Sequence, residues 1–144
     1  MRVCHFARLR KLAGIIEGGL RSDAACRREG LTEVEIGSAG IRERRLELAV
    51  GDVGPGGSVG DYVPWYFGSR SPTMFTLSRN NYEYQEGFDE VVYLVSSVPT
   101  IVTFGGEWIA SDRNADLSLA VVHADEAPLG VQPMFAAVEQ QYVR

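Results

Sequence analysis

GDYVPWYFGSRSP, Gly60 to Pro72, places four aromatic residues, one arginine and two prolines within thirteen positions. Tyr62, Trp65, Tyr66 and Phe67 read equally as ordinary core or as the floor of a binding site. Successive side chains of an extended stretch point to opposite faces, so the two readings are compatible: some of these rings pack inward and others stay exposed. The stretch before it, GDVGPGGSVG (Gly51 to Gly60), holds five glycines and one proline and is a loop. Long glycine loops in compact domains are often functional. This one lacks GK[ST] and no helix pattern follows it, so it matches neither a Walker A loop nor a Rossmann fingerprint.

Working outward, IRERRLELAV (Ile41 to Val50) has two apolar ends around RERR and follows Ser38 and Gly40, which predicts a helical turn capped by Ser38. Val3 to Phe6 reads as a short strand carrying His5. Leu9, Leu12, Ala13 and Ile16 have helical spacing, and Gly18 and Gly19 end that helix. A second short helix is predicted from Asp23 to Glu29, with Gly30 as its stop. On the C-terminal side, PTMFTLSR (Pro72 to Arg79), EVVYLVSSV (Glu90 to Val98) and TIVTF (Thr100 to Phe104) are rich in β-branched and aromatic residues and read as three strands of an antiparallel sheet. Trp108 to Val122 and Pro133 to Tyr142 read as helices. The fold class is therefore α+β in one domain with an irregular, glycine-rich and arginine-bearing middle.

Composition narrows the function classes. No apolar run approaches the roughly 18 residues that cross a bilayer, so the chain reads as a soluble, cytoplasmic protein without a membrane partner. Two cysteines and two histidines are too few for a disulfide framework or a structural zinc site, and no metal is expected. Cys4 and His5 are neighbours on a strand and face opposite ways, so they cannot form a nucleophilic dyad with each other. Residues 1 to 72 carry eleven Arg/Lys against nine Asp/Glu, whereas residues 73 to 144 carry three against ten. An anion site therefore belongs to the first half. Of fourteen cations only Lys11 is lysine, and guanidinium suits bidentate phosphate and base contacts. His5, the pair Arg44 and Arg45, and the aromatic stretch with Arg70 together supply what nucleotide and single-stranded nucleic-acid sites use, stacking faces and phosphate partners. Taken singly, each has an ordinary structural explanation.

Together, these segments resemble the DarT family of bacterial DNA ADP-ribosyltransferase toxins, in the family's order. HFARLRKLAGIIEGGLRSD resembles its opening histidine motif and helix, and IRERRLELAV its arginine motif. GDYVPWYFGSRSPTMF resembles its DYVPFYF, RSPM signature, and YLVSSV and WIASDRNA resemble later segments. The resemblance implies an ADP-ribosyltransferase-like α+β fold, a split antiparallel β-sheet with flanking helices, in a single domain over residues 1 to 144. It implies NAD as co-substrate, transfer of ADP-ribose to thymidine in single-stranded DNA, and a cognate antitoxin of the ADP-ribosyl hydrolase type as partner. His5, Phe6, Ala7, Gly14 and Arg21 would bind NAD. Arg45 would be catalytic, and Arg70, Asn114 and Tyr62 would contact DNA.

The resemblance assigns Arg45 as proton acceptor, whereas arginine is normally a donor only. Base, phosphate anchor and charge stabiliser all stay open for it. Ala7 stands where the family has threonine, and Asn114 where some members carry histidine. The family's AEFLV-like segment with its catalytic glutamate has no counterpart. MFAAVEQQYVR (Met134 to Arg144) resembles the helix that precedes it, so the domain reads as C-terminally incomplete, with Glu139 in flanks that do not match. The alternative function is a catalytically inactive NAD- or DNA-binding module, or a fragment.

Overall fold

The computed structural model describes residues 1–31, 39–69, 74, 78, 90–104, 107–111, 122–124 and 137–140. Strand β1 (Arg2–Arg8) alternates as a strand between two packed layers must. Val3 joins Val63, Trp65, Val98, Ile101 and Ala110 in one cluster, while Cys4 and Phe6 join Met74 in another. A 3-10 turn (Leu9–Lys11) leads into helix α1 (Leu12–Gly18), which Gly19 closes at φ 78°. Helix α2 (Asp23–Arg28) starts at Ser22, whose Oγ accepts the Ala25 N–H at 3.1 Å. Helix α3 (Ala39–Glu47) follows, and Ser38, the expected cap, lies outside the described residues.

Strand β2 (Val63–Tyr66) is followed by β3 (Val91–Ser97), helix α4 (Val98–Phe104), β4 (Trp108–Ser111), β5 (Val122–His123) and β6 (Ala137–Gln140). The sheet order is β3-β1-β2-β6-β4-β5, antiparallel throughout. β3 pairs along all seven residues of β1, whereas β1 meets β2 at one register pair, Cys4↔Tyr66. That narrow junction divides the sheet into two parts, the architecture the family resemblance implies.

Four expectations are overturned. TIVTF belongs to helix α4, not to a strand. Ser97 Oγ accepts the Thr100 N–H at 3.3 Å and Pro99 sits in the first turn, where its missing N–H costs nothing, so capping outweighs the β-branched preference. Trp108 begins strand β4, not a helix, because Ile109 and Ala110 fill clusters on opposite faces of the sheet. Ala137–Gln140 is a strand inserted between β2 and β4, where both its edges find backbone partners. Within the expected strand Pro72–Arg79, the described residues Met74 and Ser78 are helical.

The glycine loop packs over Tyr62. Tyr62 is 1% exposed, packs with Val50, Val59 and Ile109, and donates its hydroxyl to the Gly56 carbonyl at 2.6 Å. Gly54 holds φ 57° against Ile109 and Ala124, at a spot where a Cβ would lie 3.1 Å from the Ala124 Cβ. None of the described residues that line the cavity below belongs to this loop. No helix among the described residues is long and apolar enough to cross a membrane.

Candidate active site

A cavity of about 560 Å³ opens between the C-terminal half of β1, helices α1 and α2, and one face of α3, with Pro64 and Tyr66 of β2 closing its floor. Its walls bring together His5, Phe6, Ala7, Gly14, Arg21 and Arg45, residues spread over forty-one positions of sequence. The topology explains the meeting. β1 delivers four consecutive residues, His5 to Arg8, and the chain then folds back over them through α1 and α2. Helix α3 adds Arg42 and Arg45 from one face, three residues apart.

His5 is held by its ring. Nδ1 lies 2.7 Å from the Pro64 carbonyl, which can only accept, so Nδ1 carries the proton. The ring stands against Trp65 with centroids 5.8 Å apart. Burial lowers the imidazole pKa below its ordinary value. The Pro64 bond opposes the shift, the nearby Arg45 charge adds to it and Asp23 works against it. His5 is thus neutral at pH 7 and presents Nε2 as an acceptor.

A folded pKa below the unfolded one means that the unfolded chain takes up the proton first as pH falls. The stability that neutral His5 contributes is complete above about pH 6.5 and is lost below it. Thermal unfolding followed from pH 7.5 to 5.5 is therefore expected to show a melting temperature that falls as the pH drops, through proton uptake by the unfolded chain. His5→Gln should flatten that fall, and an unchanged slope would contradict the assignment.

Arg45 is 6% exposed although it lies in the polar run RERR. Its Nε donates to Asp23 Oδ2 at 3.2 Å, and Arg42 Nε lies 3.6 Å from Oδ1 of the same carboxylate. Arg44 is exposed. Arg21 pairs with Glu29 at the rim. Phe6 stacks on Tyr66 at 5.1 Å and meets the Tyr93 edge at 4.9 Å, which fixes the end of β1 that forms the wall.

Tyr62 requires correction as a DNA contact: its ring is core and its hydroxyl is taken by Gly56. Arg70 and Asn114 lie outside the described residues. Arg8, Lys11 and Asp23 line the cavity and were not singled out from the sequence. The signal for Arg8 was its place directly after His5-Phe6-Ala7, and Asp23 stood behind an N-cap serine. β6 sets Glu139 opposite Pro64 on one side and Ile109 on the other, so this segment borders the cavity floor through the backbone instead of forming a separate helix. Among the described residues no group of three His, Cys, Asp or Glu side chains is placed to hold a metal. Both cysteines are free thiols, and Cys4 is buried.

The family model described as "ssDNA thymidine ADP-ribosyltransferase, DarT" matches residues 4–144. A DNA ADP-ribosyl transferase of Thermus sp. (strain 2.9) is 39% identical over 85 residues, covering 59% of this chain and 40% of that protein. One of Mycobacterium tuberculosis is 31% identical over 117 residues, covering 81% of this chain and 50% of that one. The chain thus spans about two fifths to one half of the length of these relatives. Among solved structures, Thermus sp. 2.9 DarT in complex with ADP-ribosylated ssDNA superposes with a TM-score of 0.85 at 26% identity, over 98% of this chain and 75% of that one. With the match running almost end to end and the fold agreeing, this chain belongs to the DarT family of ssDNA thymidine ADP-ribosyltransferases.

Proposed function

We propose that this chain takes NAD into the cavity and transfers its ADP-ribose to a thymidine base of single-stranded DNA, as the toxin of a pair whose antitoxin removes the modification. The observation that carries the reading is the convergence of His5, Phe6, Ala7, Gly14, Arg21 and Arg45 on one cavity in a chain of this family. The Thermus sp. 2.9 protein of the same fold was solved with ADP-ribosylated ssDNA.

The residues fit a dinucleotide. Arg8, Lys11, Arg21, Arg42 and Arg45 face Glu17 and Asp23, five cations against two carboxylates, which suits a pyrophosphate dianion. Ile15, Leu20 and Ile41 supply apolar wall, and the volume is that of a small-molecule site. In the reaction the bond from the ribose C1′ to the nicotinamide nitrogen breaks and a bond from C1′ to the base forms. Nicotinamide leaves, and the base's proton passes to solvent. His5 orients through its neutral Nε2, and the β1 backbone from Phe6 to Ala7 holds the cofactor edge without needing the threonine hydroxyl that Ala7 lacks. Arg45, permanently charged and paired with a carboxylate, acts as a donor that stabilises the negative charge left on the base as its proton departs, not as a proton acceptor. Arg70 and Asn114 are the DNA contacts of this reading. Glu139, beside Pro64 in the sheet, is its candidate for the family's glutamate.

Radiolabelled NAD incubated with the chain and a thymine-containing single strand tests the proposal. Label is expected on that strand, with release of nicotinamide, and none on a thymine-free strand or a duplex. NAD binding without label transfer would instead identify a non-catalytic binding module, and absence of binding would overturn both.

A further inference from the structure

We infer that Asp23 is the positioning residue for Arg45, an inference that rests on the transferase reading above. Asp23 opens α2 directly after the Ser22 cap, so the capping bond that starts the helix also fixes where this carboxylate stands. Its two oxygens face two arginines of a different helix: Oδ2 takes Arg45 Nε at 3.2 Å, and Oδ1 lies 3.6 Å from Arg42 Nε. Arg42 and Arg45 are one turn apart on α3, so a single carboxylate clamps α3 to α2 along the cavity wall. The Asp23 and Arg45 side chains are 18% and 8% exposed, which places the bond where solvent screens it little.

An arginine side chain loses considerable rotamer freedom when it is held still, and a donor that is already oriented gives up no reorganisation energy when charge develops in front of it. With Nε committed to Asp23, the planar guanidinium is fixed in direction and its Nη end is set by that plane. Sequence offered no hint of this pairing, since twenty-two residues separate the two partners.

Asp23→Ala and Asp23→Asn, each measured for transfer from NAD to a thymine-containing strand, test the inference. Asp23→Ala is expected to lower kcat about 10- to 100-fold, the scale of a misplaced catalytic group, with a smaller change in KM for NAD. Asp23→Asn keeps an acceptor for Arg45 Nε–H and is expected to recover most of kcat. Nitrogen NMR supplies a readout independent of activity: the Arg45 Nε–H signal should exchange slowly with solvent in the native chain and in Asp23→Asn, and rapidly in Asp23→Ala. Unchanged kcat in Asp23→Ala, or an Asn variant as impaired as the Ala variant, would overturn positioning by Asp23 even while Arg45→Ala abolishes transfer. Absence of transfer by the native chain would overturn the transferase reading itself, and full activity of Arg45→Ala would overturn the role given to Arg45. The Nε–H exchange would then still decide whether Asp23 orders Arg45.

Discussion

Arg45→Ala is expected to lower ADP-ribosyl transfer by about 10²–10³-fold, the effect of losing one preorganised donor at a developing charge. The expectation follows from the position of Arg45 on the cavity wall, almost fully buried, with Nε on Asp23. Arg44 next to it is exposed and provides the control: Arg44→Ala should retain transfer within about threefold, because surface charges interact weakly through water. Arg45→Ala leaves the Asp23 carboxylate near Arg42 only at 3.6 Å, so a stability loss of about 1–3 kcal/mol accompanies it, the usual consequence of stranding a partly buried hydrogen-bonding group. Transfer assayed well below the melting temperature of the variant separates the two effects. Equal losses in the two arginine variants would contradict the choice of Arg45 over Arg44.

Tyr62→Ala is expected to destabilise the chain by about 3–5 kcal/mol, the range for deleting a buried aromatic ring. Tyr62 lies between the glycine loop and the sheet, with Val50 and Val59 on the loop side and Ile109 of β4 on the other. Tyr62→Phe removes only the hydroxyl bond to Gly56 and should cost about 1 kcal/mol. Urea titration of both variants measures the difference. The phenylalanine variant should bind single-stranded thymine DNA as the native chain does. A tenfold weaker DNA affinity in Tyr62→Phe, with stability intact, would return Tyr62 to the nucleic-acid surface.

Tyr62 and Arg45 owe their burial to different parts of the fold. Within GDYVPWYF the alternation of buried and half-buried residues is the period-2 pattern of a strand: Val63 and Trp65 are buried, and Pro64 and Tyr66 line the cavity. The expectation that this stretch is partly core and partly site was legible for that reason, but which ring served which purpose was not. Tyr62 was misassigned because it precedes the strand and its side chain follows the loop, whose four left-handed glycines, Gly51, Gly54, Gly56 and Gly57, turn the chain back over it. In RERR, propensity and charge treat Arg44 and Arg45 alike. Only the docking of α3 against Asp23 buries one and exposes the other.

The missed elements share a cause. α4 carries strand-favouring residues yet is helical because Ser97 caps it and Pro99 suits its first turn, a local signal outweighed in the sequence reading by composition. β4 and β6 are four residues each, too short for periodicity to distinguish strand from helix, and they become strands by pairing, β6 with β2 and β4, and β4 with β6 and β5. Such pairing joins residues 63–66, 108–111 and 137–140, a relation that no window along the chain contains.

By itself, then, the sequence determined the family motifs, the β1 strand with His5, the two short helices after it and the surplus of guanidinium in the first half. These are local properties, set by residue chemistry and by spacings of two to four positions. The tertiary structure alone decided the six-strand order, the burial of Tyr62, the choice between Arg44 and Arg45, and the Asp23 clamp. Each of these depends on which distant surfaces exclude water together, and desolvation is a property of packed neighbours, not of the chain that supplies them.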